Sequence, residues 1–283
     1  MKIFLLANHW VGLEVAEYLK ERKEDEIVGL CLHLPDKQKM AEEIRSVVGL
    51  PSDRVFSASD LNDLAMIARI KILGADIGIS CFWAYILRRP FLSLFPEGCI
   101  NFHPGFLPFN RGTSPELWPF IEGTPAGVTL HYIDDGVDTG DIIVQRKVPI
   151  SPIDTGRTLY DRTLREITDL FKETWPSIRS GDITPKVQDH GKATLHHHRD
   201  RPKIEELDLD APTTGRQFLN LLRSRTFPPY PGCWFEEDGK KVLVSVDLRY
   251  SDECLPCTDH REGTMRANDH TAIVASGTRE RMS

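Results

Sequence analysis

The chain has 283 residues, room for one large domain or a large one with a small companion. Forty per cent of the residues are apolar and 27% charged, ordinary for a globular protein, and no apolar run approaches the ~20 residues of a membrane helix. A net charge of −7 lacks the basic excess from which nucleic-acid binders draw affinity, so neither a nucleic acid nor a membrane is the expected partner.

The start, MKIFLLANHW, carries too brief an apolar run for a signal-peptide core. It reads as a first strand over 2–7, and the chain is expected in the cytoplasm. Val11, Val15, Tyr18 and Leu19 follow at helical spacing and predict a helix over 11–22. A second strand is expected over 26–34 and a helix over 36–49. The short RVFSA segment leads to another helix ending near Ile70. Strands follow over 75–81 and 98–104. This alternation predicts an α/β fold, a Rossmann-like and mostly parallel sheet with flanking helices. Ligands of such sheets bind beyond the carboxyl ends of the strands, so the tip after CINF is a candidate site.

Next come a short helix over 112–123 and strand-like segments over 126–133 and 141–150, which flank the turn-rich loop DDGVDTG. Thr155 opens a long amphipathic helix expected to stop at Trp175-Pro176, and the first domain is expected to close at 181. Residues 182–200 are polar and irregular. A helix over 212–225 and a hairpin turning at Asp238-Gly239 make residues 182–250 a linker, helix and small β-rich module. That module is too small to stand without docking. Residues 251–283 read as a polar, poorly ordered tail.

The cysteines (31, 81, 99, 233, 254 and 257) suggest no disulfide framework. Cys254 and Cys257 with His260 have half a zinc-site spacing, but a single C-x-x-C pair is a weak signal, and no metal is expected.

Three polar side chains stand out. Asn101 and His103 lie two apart on an extended segment and so project to one side, just before Pro104 ends regular pairing. If the DDGVDTG loop folds back over the strand tip, Asp138 reaches His103. An amide and an imidazole can stabilise an oxyanion, and a carboxylate can orient the ring and help move a proton. No Ser or Cys sits in a nucleophile context, so the attacking group would belong to a substrate. No GxGxxG follows the first strand, so NAD is not suggested.

The ordered set NFHPGFLP, NRG and AGVTLHYIDDGVDTGDIIVQ resembles the folate-dependent formyltransferases, most closely the nucleotide-sugar N-formyltransferases. The resemblance implies that Asn101, His103 and Asp138 are catalytic and that 10-formyltetrahydrofolate is the formyl donor. An acceptor amine would attack the formyl carbon while His103 and Asn101 hold the oxyanion. Phe82, Trp83, Ala84 and Ile86, with Asp134, Asp135 and Gly136, would wall the cofactor pocket. The acceptor would be a nucleotide-linked amino-deoxysugar of O-antigen or related glycan synthesis. Candidate contacts to it are Asn8 and His9 at the first strand tip, Arg111 and Gly112 in the NRG segment, and Tyr230 and Trp234 as base-stacking rings. Each has a structural alternative: helix capping for Asn8 and His9, loop bracing for Arg111, module core for the rings. Methionyl-tRNA or another amine as acceptor, and hydrolysis of the folate, remain alternatives. The apolar hairpin suggests a homodimer.

Overall fold

The computed structural model describes residues 1–253, and residues 1–248 make one compact unit. The expected disorder of the tail from 254 onward, and the Cys254–Cys257 pair, lie outside the described residues. The first half runs β1 (Lys2–Ala7), α1 (His9–Lys20), β2 (Glu26–Leu32), α2 (Ala41–Val48), β3 (Val55–Ser57), α3 (Leu64–Ile72), β4 (Ile77–Cys81), α4 (Arg89–Leu92) and β5 (Cys99–His103). After β6 (Arg111–Gly112) and α5 (Trp118–Glu122) come β7 (Gly127–Tyr132), β8 (Ile142–Lys147) and α6 (Gly156–Ser180). The chain then forms β9 (Leu195–His196), α7 (Gly215–Arg225), β10 (Cys233–Glu237) and β11 (Lys240–Val244).

Seven strands form one sheet in the order β3-β2-β1-β4-β5-β7-β8. The first five are parallel, and β7 and β8 add antiparallel to the edge at β5. Ile3 to Ala7 are all fully buried, because helices cover both faces of the sheet. One face carries Leu5, Val15, Leu164, Phe171 and Trp175, and the other Phe4, Leu6, Phe56, Phe91 and Phe95. β1 and β4 end side by side, and β4 hands over to β5, so their carboxyl ends share one rim.

Three expectations differ from what is found. The helix predicted over 36–49 splits into a turn at Pro35–Lys37 and α2, because Met40 takes a left-handed backbone (φ 58°). The helix predicted over 112–123 shrinks to α5, since Arg111 and Gly112 pair in parallel with Leu195 and His196 of β9. Pro176 does not end α6, which runs to Ser180 and is capped by left-handed Gly181. A proline lacks the N–H that would serve the carbonyl four residues back. Here that carbonyl, on Lys172, accepts the Tyr18 hydroxyl at 2.9 Å instead.

The C-terminal segment docks through α7. Arg223 donates to the carbonyls of Ser151 and Pro152 (3.1 and 3.0 Å), and its guanidinium lies 4.7 Å from the centre of the Phe120 ring. β10 and β11 form the expected hairpin, with both turn residues, Asp238 and Gly239, at positive φ.

Candidate active site

The register of the sheet builds the site. Antiparallel pairing sets Asn101 opposite His131 and His103 opposite Thr129, so four polar side chains occupy two adjacent cross-strand positions. The β7–β8 loop returns over this rim and brings Asp138 to it. Asp138 Oδ2 lies 3.5 Å from His103 Nδ1, and its Oδ1 lies 3.4 Å from both Asn101 Nδ2 and His131 Nε2. The three side chains singled out from the sequence therefore meet, and a fourth, His131, joins them. Its sign in the sequence is the polar position in GVTLH, two residues after Thr129 on the same strand face.

Partners fix each orientation. Ser80 Oγ donates to Asn101 Oδ1 (3.2 Å), which turns the Asn101 Nδ2 toward His131 and Asp138. His131 Nδ1 lies 2.8 Å from the Tyr132 carbonyl and must carry the proton there. His131 Nε2 is then an acceptor for Asn101 Nδ2 at 3.1 Å. His103 Nε2 faces the Asn110 carbonyl at 3.0 Å and carries its proton on that side. Its Nδ1 is left toward Asp138. Thr129 Oγ1 donates to the Gly105 carbonyl (2.7 Å) and accepts from Leu107 N–H (3.2 Å), pinning the turn that follows His103. A Cβ on Gly105 would lie 2.5 Å from His103 Nε2, so only glycine fits against the ring.

The charges are divided. Burial would raise the Asp138 pKa, but His103, His131 and the Gly112 N–H, which donates to Oδ2 at 2.8 Å, together hold it below the usual carboxylate range. Burial pulls His103 below its ordinary value, with Asp138 opposing. At neutral pH the pair is a carboxylate beside a neutral ring. A proton arriving at His103 Nδ1 would turn a lone-pair–carboxylate contact into a charge-assisted hydrogen bond.

The pocket walls proposed from the sequence lie beside this rim. Phe82 has a left-handed backbone (φ 56°) and stacks on His9 with ring centres 4.5 Å apart. Trp83 sits edge-on to His33 and Tyr85, and its buried indole N–H has no partner among the described residues. Ala84 is exposed and Ile86 is 74% exposed. Asp134, Asp135 and Gly136 are exposed on the β7–β8 loop, where Asp134 accepts from the Gly136 N–H (3.0 Å) and the Thr139 hydroxyl (2.5 Å).

Four residues expected at the acceptor make contacts within the protein. Asn8 makes no side-chain cap on α1: its Oδ1 accepts from Lys39 N–H, and its Nδ2 serves the Lys37 carbonyl and His33 Nδ1. Arg111 is buried, with Nε and Nη2 on Gln188 Oε1 (3.2 and 2.6 Å), because β6 draws it beneath the site. Gly112 serves Asp138. Trp234 lies under the Lys241 ammonium (3.7 Å from the ring centre), on the hairpin.

Tyr230 faces open space, whereas His9 is only partly exposed. His9 Nδ1 is buried without a partner among the described residues, and burial lowers its pKa to about 4, with the Lys39 charge adding to the effect. Beside it a groove is lined by Trp10, Glu14, Arg157, Asp161 and Arg165. Tyr230, 61% exposed, lines a second groove with Phe227 and Leu243. Arg157 adjoins both, donating to the Pro228 carbonyl (3.1 Å) with its guanidinium over the Phe227 ring. Among the described residues, no three His, Cys, Asp or Glu side chains converge as a metal site, and no helix is long and apolar enough to cross a membrane.

A Rossmann-like sheet with an amide, an imidazole and a carboxylate at one strand tip is the architecture of a group-transfer enzyme. Residues 6–174 match the formyl transferase family, so the chain belongs to that family; residues 200–250 match the N-formyltransferase dimerization C-terminal domain. The chain is 38% identical over 151 residues to the dTDP-4-amino-4,6-dideoxyglucose formyltransferase of Mycobacterium tuberculosis, a match covering 53% of this chain and 64% of that protein. The match thus spans less than two thirds of this curated relative. The methionyl-tRNA formyltransferase of Desulfotalea psychrophila is 30% identical over 254 residues, covering 88% of this chain and 73% of its own. Among solved structures, a 4-N formyltransferase from Francisella tularensis superposes with a TM-score of 0.74 at 25% identity, covering 88% of this chain and 98% of that one. The formyltransferase PseJ from Anoxybacillus kamchatkensis, in complex with UDP-4,6-dideoxy-4-formamido-L-AltNAc and tetrahydrofolate, gives 0.50 at 33% identity, covering 77% and 94%.

Proposed function

We propose that this protein is a sugar N-formyltransferase. It moves the formyl group of 10-formyltetrahydrofolate to the amine of a nucleotide-linked amino-deoxysugar, in the cytoplasm and for O-antigen or related glycan synthesis. The observation that carries the chemistry is the convergence of Asn101, His103 and Asp138 on one rim. Asn101 offers an amide hydrogen to a developing oxyanion when that oxyanion displaces Asp138 Oδ1, the more distant of its two acceptors (3.4 Å against 3.1 Å). His103 Nδ1 takes up the proton that the amine loses and passes it to the folate N10 as the formyl C–N10 bond breaks, and Asp138, ionised at neutral pH, stabilises the intervening imidazolium.

The folate supplies the activated one-carbon unit. Residues 82–86 and 134–137 suit a flat heterocycle: Ile86 and Val137 offer exposed apolar surface, and the Trp83 indole supplies a buried donor without a partner among the described residues. For the acceptor, the grooves meeting at Arg157 provide guanidinium groups for a diphosphate and the Tyr230 ring for a base. The curated sugar formyltransferase and PseJ support this acceptor class. The match of residues 200–250 supports a homodimer, for which the hairpin offers Leu243 (62% exposed) and Val242.

The test is a formyl-transfer assay with 10-formyltetrahydrofolate and a panel of dTDP- and UDP-linked 3- and 4-amino-dideoxysugars, with methionyl-tRNA and an amine-free control alongside. Formylation of at least one sugar nucleotide is expected. Transfer to methionyl-tRNA and to none of the sugars, or formate release without any amine, would overturn the reading.

A further inference from the structure

We infer that Gln188, from the polar segment between the two matched family regions, is a positioning residue that holds Asp138 in its working conformation. The inference rests on the reading of Asp138 as catalytic.

Asp138 has φ 53°, in the left-handed region where a side-chain-bearing residue is strained. Such a conformation persists only where surrounding contacts enforce it. A Cβ on Gly140, two residues on, would overlap the Tyr132 carbonyl oxygen, so the loop has no slack on that side. The enforcing contacts come from Gln188, which is 4% exposed. Its Nε2 donates to the Asp138 carbonyl (2.9 Å) and the Gly140 carbonyl (2.7 Å).

The carboxamide cannot flip. Arg111 approaches its oxygen through Nε and Nη2, and a guanidinium has only donors. Gln188 Oε1 must therefore face Arg111, and both N–H groups must face the loop. Arg111 is fixed in turn: its main-chain N–H donates to the Thr194 carbonyl (2.9 Å), and Nη2 lies 3.2 Å from His190 Nδ1. The circuit closes through Gly112, next to Arg111, whose N–H holds Asp138 Oδ2 at 2.8 Å. Gln188 thus clamps the main chain of Asp138, and Gly112 clamps its carboxylate. The bridge between Lys186 and Ile142, two hydrogen bonds of 2.8 Å, brings Gln188 to the loop.

Gln188→Glu separates this role from simple bracing. The glutamate keeps an acceptor for Arg111 and loses both donors to the loop. Gln188→Leu loses both functions. Each variant is expected to lower kcat about 10- to 100-fold with KM for donor and acceptor within about twofold, the signature of a misplaced catalytic group. The acidic limb of the kcat–pH profile should move toward neutral pH as the carboxylate loses the Gly112 N–H. Wild-type kcat in Gln188→Glu, with or without a lowered melting temperature, would overturn the inference and leave Gln188 a brace for Arg111. If Gln188→Leu does not fold, Gln188→Glu alone decides. If the wild-type protein formylates no sugar nucleotide, the acceptor reading fails, and a crystal structure of Gln188→Glu decides this one. Asp138 still left-handed with Oδ2 on the Gly112 N–H would refute it, and a displaced Asp138 would uphold it.

Discussion

Asn101 on β5 and His131 on β7 are direct cross-strand partners, joined Nδ2 to Nε2 at 3.1 Å. The Tyr132 carbonyl fixes the His131 tautomer, and that tautomer presents the acceptor which aims the Asn101 amide. His131→Phe keeps a ring of similar volume and removes the acceptor. It should lower kcat about tenfold and leave the melting temperature nearly unchanged. Steady-state kinetics check this; an unchanged kcat would mean that Ser80 alone orients Asn101.

Asp138→Asn preserves the shape of the site and removes its charge. With His103 no longer opposite a carboxylate, turnover should fall about 100-fold or more, and His103→Asn should do the same. Both variants should remain folded by circular dichroism. Near-normal turnover in a folded variant would remove that residue from the mechanism.

Tyr18→Phe strips the Lys172 carbonyl of its donor inside α6. A net loss of about 1–2 kcal/mol is expected in urea denaturation. In a Pro176→Ala background the new N–H can serve that carbonyl, so the same substitution should then cost less. Equal costs in the two backgrounds would show that the hydroxyl is not compensating for the proline.

Glu116 gives stability a pH dependence. Burial pushes its carboxyl up to about 7, with Arg201 and Arg225 opposing. A carboxyl whose pKa is raised on folding favours the native state fully below the ordinary value of 4.5, and this contribution is lost as pH rises through 7. Glu116→Gln should therefore gain on the wild type between pH 5 and pH 8, by roughly 3 kcal/mol at most. Thermal melts across that range test it, and a pH-independent difference would contradict the assignment.

Much of the site could be read from the sequence because its signals are local. Asn101 and His103 share a face through strand alternation alone, and Asp138 announces itself in a turn-rich loop between two strands of one sheet. His131 is a different case: its polar position was visible, but pairing it with Asn101 needs the β5–β7 register, which one sequence does not contain. Gln188 lies fifty residues from Asp138 and belongs to no periodic pattern, so nothing local marks it. Arg111 looked like an anion-binding residue because its chemistry is the same whether it meets phosphate or carboxamide; its direction is set by a partner 77 residues away. Asn8 had the composition of a cap, and the segment after β2 claimed its side chain. In α6, proline reads as a stop, and the carbonyl it leaves without an N–H is met by a hydroxyl from another helix, far off in sequence.

The strap formed by residues 186–196 has a consequence for building chimeras. It falls between the two matched regions, where an engineer would naturally place a splice. Yet Gln188, Thr194 and the β9 pair anchor the loops around Asn101, His103 and Asp138. A junction before Lys186 would pair one enzyme's rim loops with another's anchors. A junction after His198 would carry the anchors along with the loops they hold, and leave α7 and the hairpin as the exchangeable cassette.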